Sequence, residues 1–166
     1  TFLGYVIPIW AGWLADSSWG KFRTIMMGVY VGIFGHILFV ISAIPGVINS
    51  GKLALIPLVL GILSTSFCSG CIKPNLMPLL YDQVPYKHNL LKRLPSGEVV
   101  YVDVDQSLES LSMFFYWSIN IGAFLSIGTS YAARRVGFWL AFLVPSIIYA
   151  LVVIAMLSIK RYLHHE

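Results

Sequence analysis

The chain has 166 residues, 58% of them hydrophobic and only 11% charged, and eleven Lys and Arg against seven Asp and Glu give a formal net charge of +4. A water-soluble domain of this size is nearer to half apolar and a quarter charged, so the composition argues against a soluble enzyme or binding module and for a chain that uses the bilayer as solvent. The positive charge does not point to nucleic acid, because the cations fall in short clusters between apolar runs rather than along one phosphate-binding face.

Five apolar segments follow one another. The first, residues 1–15, opens without an initiator methionine or a basic leader and is expected to be the end of a longer helix in a longer chain. The second covers 24–44 and the third 53–81, the latter interrupted only by Lys73, Pro74, Asn75 and Pro78. The fourth covers 111–133 and the fifth 138–159. A span needs about 20 apolar residues at about 1.5 Å of rise each, so segments two to five are long enough. The third exceeds the minimum and is expected to tilt, kink at its prolines or project from the bilayer. The fold expected is all-α and polytopic.

Lys and Arg in the connections set the orientation. One set of ends carries Lys21, Arg23, Lys87, Lys92, Arg93, Lys160 and Arg161, and the opposite set Lys52, Arg134 and Arg135. The heavier set is expected to be cytoplasmic. That places the only long polar stretch, 82–110, in the cytoplasm. Within it, Pro95-Ser96-Gly97 followed by alternating β-branched residues predicts a small hairpin.

The chain carries no phosphate loop, zinc-ligand spacing or nucleophile elbow. No cofactor, metal or ATP is implied, and no acid, base and nucleophile converge within the spans as an enzyme would need. Cys68 and Cys71 form a C-x-x-C, but beside Ser66, Ser69 and Gly70 in an apolar helix they read as small residues at a packing face. His36 is read as a structural hydrogen-bonding residue. Gly28, Gly32 and Gly35 around it predict close helix packing.

Four places could carry function. Gly12, Asp16, Gly20, Lys21 and Arg23 fit G-x-x-x-D-x-x-x-G-K-x-R at a tight turn between two spans. Gly20 permits the turn, and Asp16 can end one helix and accept from the next or pair with a basic residue. Such a cluster can latch two helix groups in one conformation, or be a topogenic basic loop with an incidental acid. Lys73 sits inside an apolar segment, where a charge costs about 2.5–3.5 kcal/mol and normally faces a cavity or a partner; the alternative is a snorkelling lysine. Pro74 loosens the helix beside it. Asn120, with Tyr116 one turn earlier, offers an amide suited to a peptide backbone or to an interhelical hydrogen bond. Tyr5 could be a membrane-interface tyrosine.

The stretch 11–35 resembles the loop between spans two and three of the major facilitator superfamily. More narrowly, Ala11-Gly12, Ala15-Asp16, Gly20, Thr24-Ile25 and Gly35 resemble the first signature of the proton-coupled oligopeptide transporters, with Ser18 departing. Lys73-Pro74-Asn75 resembles the family's Lys-Pro-Asn motif in span four, and 115–124 its second signature in span five, with Leu111-Ser112 departing upstream. The insert before it looks like that of fungal members. The resemblance implies that 1–166 is the larger part of the amino-terminal six-helix bundle, spans two to six. It implies proton-driven uptake of di- and tripeptides by alternating access at the plasma membrane, with small peptides, protons, the lipid bilayer and the remaining helices of the transporter as partners. Tyr5, Lys73 and Asn120 are then substrate-binding, Lys73 also couples proton transfer, and Asp16, Gly20, Lys21 and Arg23 form the latch. The alternatives are a related transporter for nitrate or another small solute, or a non-transporting membrane scaffold.

The orientation is open to direct test. In the full-length protein freed of native cysteines, Pro95→Cys should react with an impermeant maleimide only after the cells are permeabilised. Labelling from outside intact cells would reverse the topology.

Overall fold

A computed structural model describes residues 3–159. Six α-helices and one two-stranded sheet follow in the order α1 (Leu3–Leu14), α2 (Lys21–Ser42), α3 (Pro45–Ile48), α4 (Lys52–Asp82), β1 (Leu90–Arg93), β2 (Val99–Val102), α5 (Val104–Arg135) and α6 (Phe138–Ile159). A π-helical turn, Ala15–Trp19, joins α1 to Gly20 and α2. Helices α2, α4, α5 and α6 are each long and apolar enough to cross a membrane. Lys160 and Arg161, two of the cations used to orient the chain, lie outside the described residues.

The bundle is built on α2 and α4. Lipid tails are as apolar as leucine, so helices in a membrane associate by close van der Waals packing, which small residues allow. Gly28, Gly32 and Gly35 form one stripe on α2 and are all buried. A Cβ at Gly28 would lie 2.6 Å from Cys71 Cβ, and one at Gly32 would lie 2.7 Å from Cys68 Sγ. One at Gly35 would lie 2.9 Å from Ser64 Cβ. Cys68 and Cys71 are free and buried, as small packing residues should be. On another side of α4, Gly70 leaves room for Ile7 of α1.

Helix α6 closes on the same seam through Tyr149. Its hydroxyl lies 2.9 Å from Cys68 Sγ and donates to Val29 O at 3.3 Å. Its ring stacks on His36 with centroids 4.6 Å apart. The His36 Nδ1 is 2.8 Å from Gly32 O, so the imidazole is held on its own helix while it packs against α6. Ile25, Val29, Leu79 and Val153 form a small apolar core.

The predicted hairpin is present. Strands β1 and β2 are antiparallel, with Leu90 opposite Val102 and Arg93 opposite Val99. Gly97 takes φ 91°, a left-handed value that glycine adopts freely. Leu94 N donates to Glu98 O at 2.8 Å and Gly97 N to Leu94 O at 2.9 Å, closing the turn.

Two boundaries differ from the sequence expectation. The polar stretch 82–110 is not all loop, because α5 starts at Val104 rather than near 111. Asp103 caps it, accepting from Asp105 N at 3.0 Å and Gln106 N at 3.2 Å. A capped, charged first turn projects the helix beyond its apolar part. The short α3 was also not anticipated; Pro45 at its start supplies a fixed φ suited to a first helical position.

The seam sets an expected stability pattern. Gly28→Ala should destabilise the protein by about 1–3 kcal/mol by overpacking against α4. Gly46→Ala, where no heavy atom lies within 4 Å of the added Cβ, should not. Thermal unfolding of both variants in detergent checks the contrast.

Candidate functional site

The turn after α1 is shaped by its backbone. Gly20 N donates to Ala15 O at 3.1 Å, a five-residue step that widens the last turn. Gly20 then takes φ 78°, and its carbonyl accepts from Thr24 N at 3.2 Å and Thr24 Oγ1 at 3.1 Å. Thr24 is fully buried. The turn is therefore fastened to the start of α2 from inside.

This turn borders a cavity of about 870 Å³ at one end of the bundle. Asp16, Gly20, Lys21 and Arg23 all line it, together with Tyr30, Asp82, Gln83 and Leu157. The ends of α4 and α6 thus meet the turn on one side of the bundle, as the alternation of Lys and Arg requires. The Lys21 ammonium forms an ion pair with the Asp82 carboxylate, joining the first residue of α2 to the last of α4. Asp16 is exposed and makes no ion pair or hydrogen bond with another described residue. The acid engaged by Lys21 is therefore Asp82, which the sequence reading did not single out. A signal was available: Asp82 is the first acid after Asp16, and the topology puts both at the same membrane surface.

Lys73 and Asn75 turn to different surroundings on α4. Asn75 is 3% exposed and donates from Nδ2 to Cys71 O at 2.8 Å. Lys73 is exposed and makes no ion pair among the described residues. Between them Pro74 lacks an amide, so the Gly70 carbonyl loses its helical donor. Gly70 is also where α1 comes closest.

Tyr5 on α1 is 74% exposed. Asn120 on α5 is exposed, and its Nδ2 donates to Tyr116 O at 2.8 Å on the same helix. The interhelical bond considered for Asn120 is thus not formed with a described residue. Tyr5, Lys73 and Asn120 all stand on uncovered helix surface, and no hydrogen bond or ion pair joins any two of them.

A further contact was not foreseen. Tyr81 Oη and Ser112 Oγ lie 2.6 Å apart, tying the end of α4 to α5. Ser112 is one of the residues that depart from the family signature, and here its hydroxyl has a specific partner. No group of three or more His, Cys, Asp or Glu among the described residues could hold a metal ion.

Comparison with known proteins gives a consistent result. The model of the POT family matches residues 22–165. The chain is 45% identical over 160 residues to the peptide transporter PTR2 of Candida albicans, covering 96% of this chain and 26% of that protein. It is 40% identical over 151 residues to the MFS-type transporter ucsM of an Acremonium species, covering 91% and 25%. It is 35% identical over 157 residues to PTR2 of Saccharomyces cerevisiae, covering 95% and 26%. The chain thus spans about a quarter of the length of these relatives. Among solved structures, a mutant peptide transporter POT in complex with alafosfalin matches with a TM-score of 0.71 and 25% identity, over 96% of this chain and 27% of that one. An auto-inhibited POT family peptide transporter matches in fold with a TM-score of 0.74, over 99% and 27%. With four helices of membrane-spanning length, the POT family match and this shared fold, the chain belongs to the POT family and has the architecture of a multi-pass membrane transporter.

Proposed function

We propose that the chain forms spans two to six of the amino-terminal six-helix bundle of a proton-coupled transporter for di- and tripeptides in the plasma membrane. The observation that carries this reading is Lys73. It is an exposed cation well inside a 31-residue helix of membrane-spanning character, beside a proline that opens the hydrogen-bond ladder. Intramembrane charge is expensive unless it faces a cavity or a partner. The uncovered surface of α4 therefore needs either water or the remaining helices of the transporter against it.

In that setting Lys73 supplies a counter-ion for a peptide carboxylate and a partner for proton-binding acids. Asn120 keeps its side-chain oxygen available to a peptide amide, and Tyr5 adds a hydroxyl from α1. Alternating access moves the two repeats of such a transporter around a central site. The Lys21–Asp82 pair, with Asp16, Gly20 and Arg23 on the same cavity, would latch one of those states. A second reading, transport of a different small solute, is favoured by the 40% identical relative that is named only as an MFS-type transporter.

Two measurements test these roles in the full-length protein. Lys73→Ala should abolish uptake of a labelled dipeptide under an imposed proton gradient while leaving surface expression intact, and Lys73→Arg should not rescue it fully because its charge is effectively permanent and its fork needs different geometry. Near-normal uptake by well-expressed Lys73→Ala would sink both the site and the coupling role.

For the latch, Asp82→Asn and Lys21→Gln should each cost no more than about 1 kcal/mol of stability, since both groups are partly exposed. Each should nevertheless slow the maximal transport rate several-fold with little change in peptide affinity. The exchanged pair Lys21→Asp with Asp82→Lys should recover part of the rate, and a double-mutant cycle gives the coupling. Additive losses with no recovery would mean that the pair is not a latch.

A further inference from the structure

The hairpin between α4 and α5 has one apolar face more than the bundle uses. In an antiparallel ribbon, directly opposed side chains share a face, and faces alternate along each strand. Leu90 opposes Val102 and Lys92 opposes Val100, while Leu91 opposes Tyr101 and Arg93 opposes Val99. On the first face Leu90, Val100 and Val102 are half-buried, and Val102 lines an apolar pocket at the α4–α5 junction. On the second face Leu91 is 70% exposed and Val99 and Tyr101 are each 62% exposed. Arg93 is exposed beside them.

Charge narrows what can cover this second face. Lys87, His88, Lys92 and Arg93 are all exposed at or just before β1. Of the two acids between 83 and 103, Asp103 is engaged as the cap of α5. Glu98, at the turn, is the other. The surface is therefore apolar with a basic margin, which complements an anionic lipid surface better than an uncharged one. Geometry keeps it there. The ribbon is held between the ends of two membrane-length helices, Asp82 and Val104. Its four-residue strands reach about 13 Å at about 3.3 Å per residue, so a ribbon lying flat stays within one short arm of the helix ends.

We propose that the outward face of this hairpin docks on the anionic cytoplasmic leaflet, with Leu91, Val99 and Tyr101 at the interface and Arg93 on lipid phosphates. Tyrosine suits that level because its ring is apolar and its hydroxyl wet, and the long arginine side chain reaches headgroups while its stem stays in apolar surroundings. The inference rests on the orientation that makes the 82–110 side cytoplasmic, and it is independent of the transported solute.

The test uses the full-length, cysteine-free transporter in vesicles, with single nitroxide labels at positions 91, 99 and 101 and, on the inner face, at 90 and 100. Collisions with oxygen report lipid, and collisions with a water-soluble nickel chelate report water. In mixed phosphatidylcholine and phosphatidylglycerol, the outward labels should favour oxygen. In phosphatidylcholine alone, or after Arg93→Ser, the balance should shift several-fold toward the chelate. Outward labels equally open to the chelate in both lipid mixtures would overturn the proposal by placing the face in water. Labels shielded from both reagents would overturn it by placing the face against the remaining helices or another protein. Uptake measured on the same samples reports transport separately, so the two readings can fail independently.

Discussion

The approach of α2 to α4 governs the rest of this bundle, because inside a membrane there is little hydrophobic drive to bring one helix to another. Contact has to be close, and here the glycines at 28, 32 and 35 remove the side chains that would prevent it. Across the seam stand Gly61, Ser64, Thr65 and the two cysteines, all small side chains. That closeness also creates the slot that Tyr149 of α6 enters at Gly32. Gly70 repeats the device for α1 on another side of α4. One helix thereby gathers its neighbours through residues that offer almost no apolar area of their own.

Polar groups inside the bundle are dealt with in two ways. Cys68, Tyr149, His36 and Asn75 find partners on facing helices or on their own backbone, which is what a low-dielectric interior demands. Lys73 and Asn120 instead lie on exposed surface, and α5 in particular turns Phe114, Trp117 and Phe124 outward with each 71–72% exposed. A largely exposed helix carrying aromatic residues is incomplete as a folding unit in water. Such a surface is stable against lipid or against further helices.

Much of this was legible in the sequence, for identifiable reasons. Long apolar runs locate spans without reference to tertiary structure, so α6 begins where its hydrophobicity does. The Pro-Ser-Gly turn and the glycine stripe are local patterns with local causes. The Lys21–Asp82 pair is different: its members are 61 residues apart and meet only because α2 and α4 are antiparallel neighbours. The Tyr81–Ser112 bond is hidden likewise, since a hydroxyl at the end of an apolar run has no periodic signature. The start of α5 was missed because its first turns are polar; the Asp103 cap, not hydrophobicity, decides where that helix begins.

The attachment of the hairpin has a mechanical consequence. Strand β2 ends at Val102, one residue before the Asp103 cap, and Asn89 Oδ1 accepts from Val104 N at 2.8 Å across the base of the ribbon. On the other side, residues 83–89 intervene between α4 and β1 without regular structure. The ribbon is thus clamped to α5 and only tethered to α4. Any rocking of α5 would swing it as a crank arm, with the 83–89 segment taking up the slack.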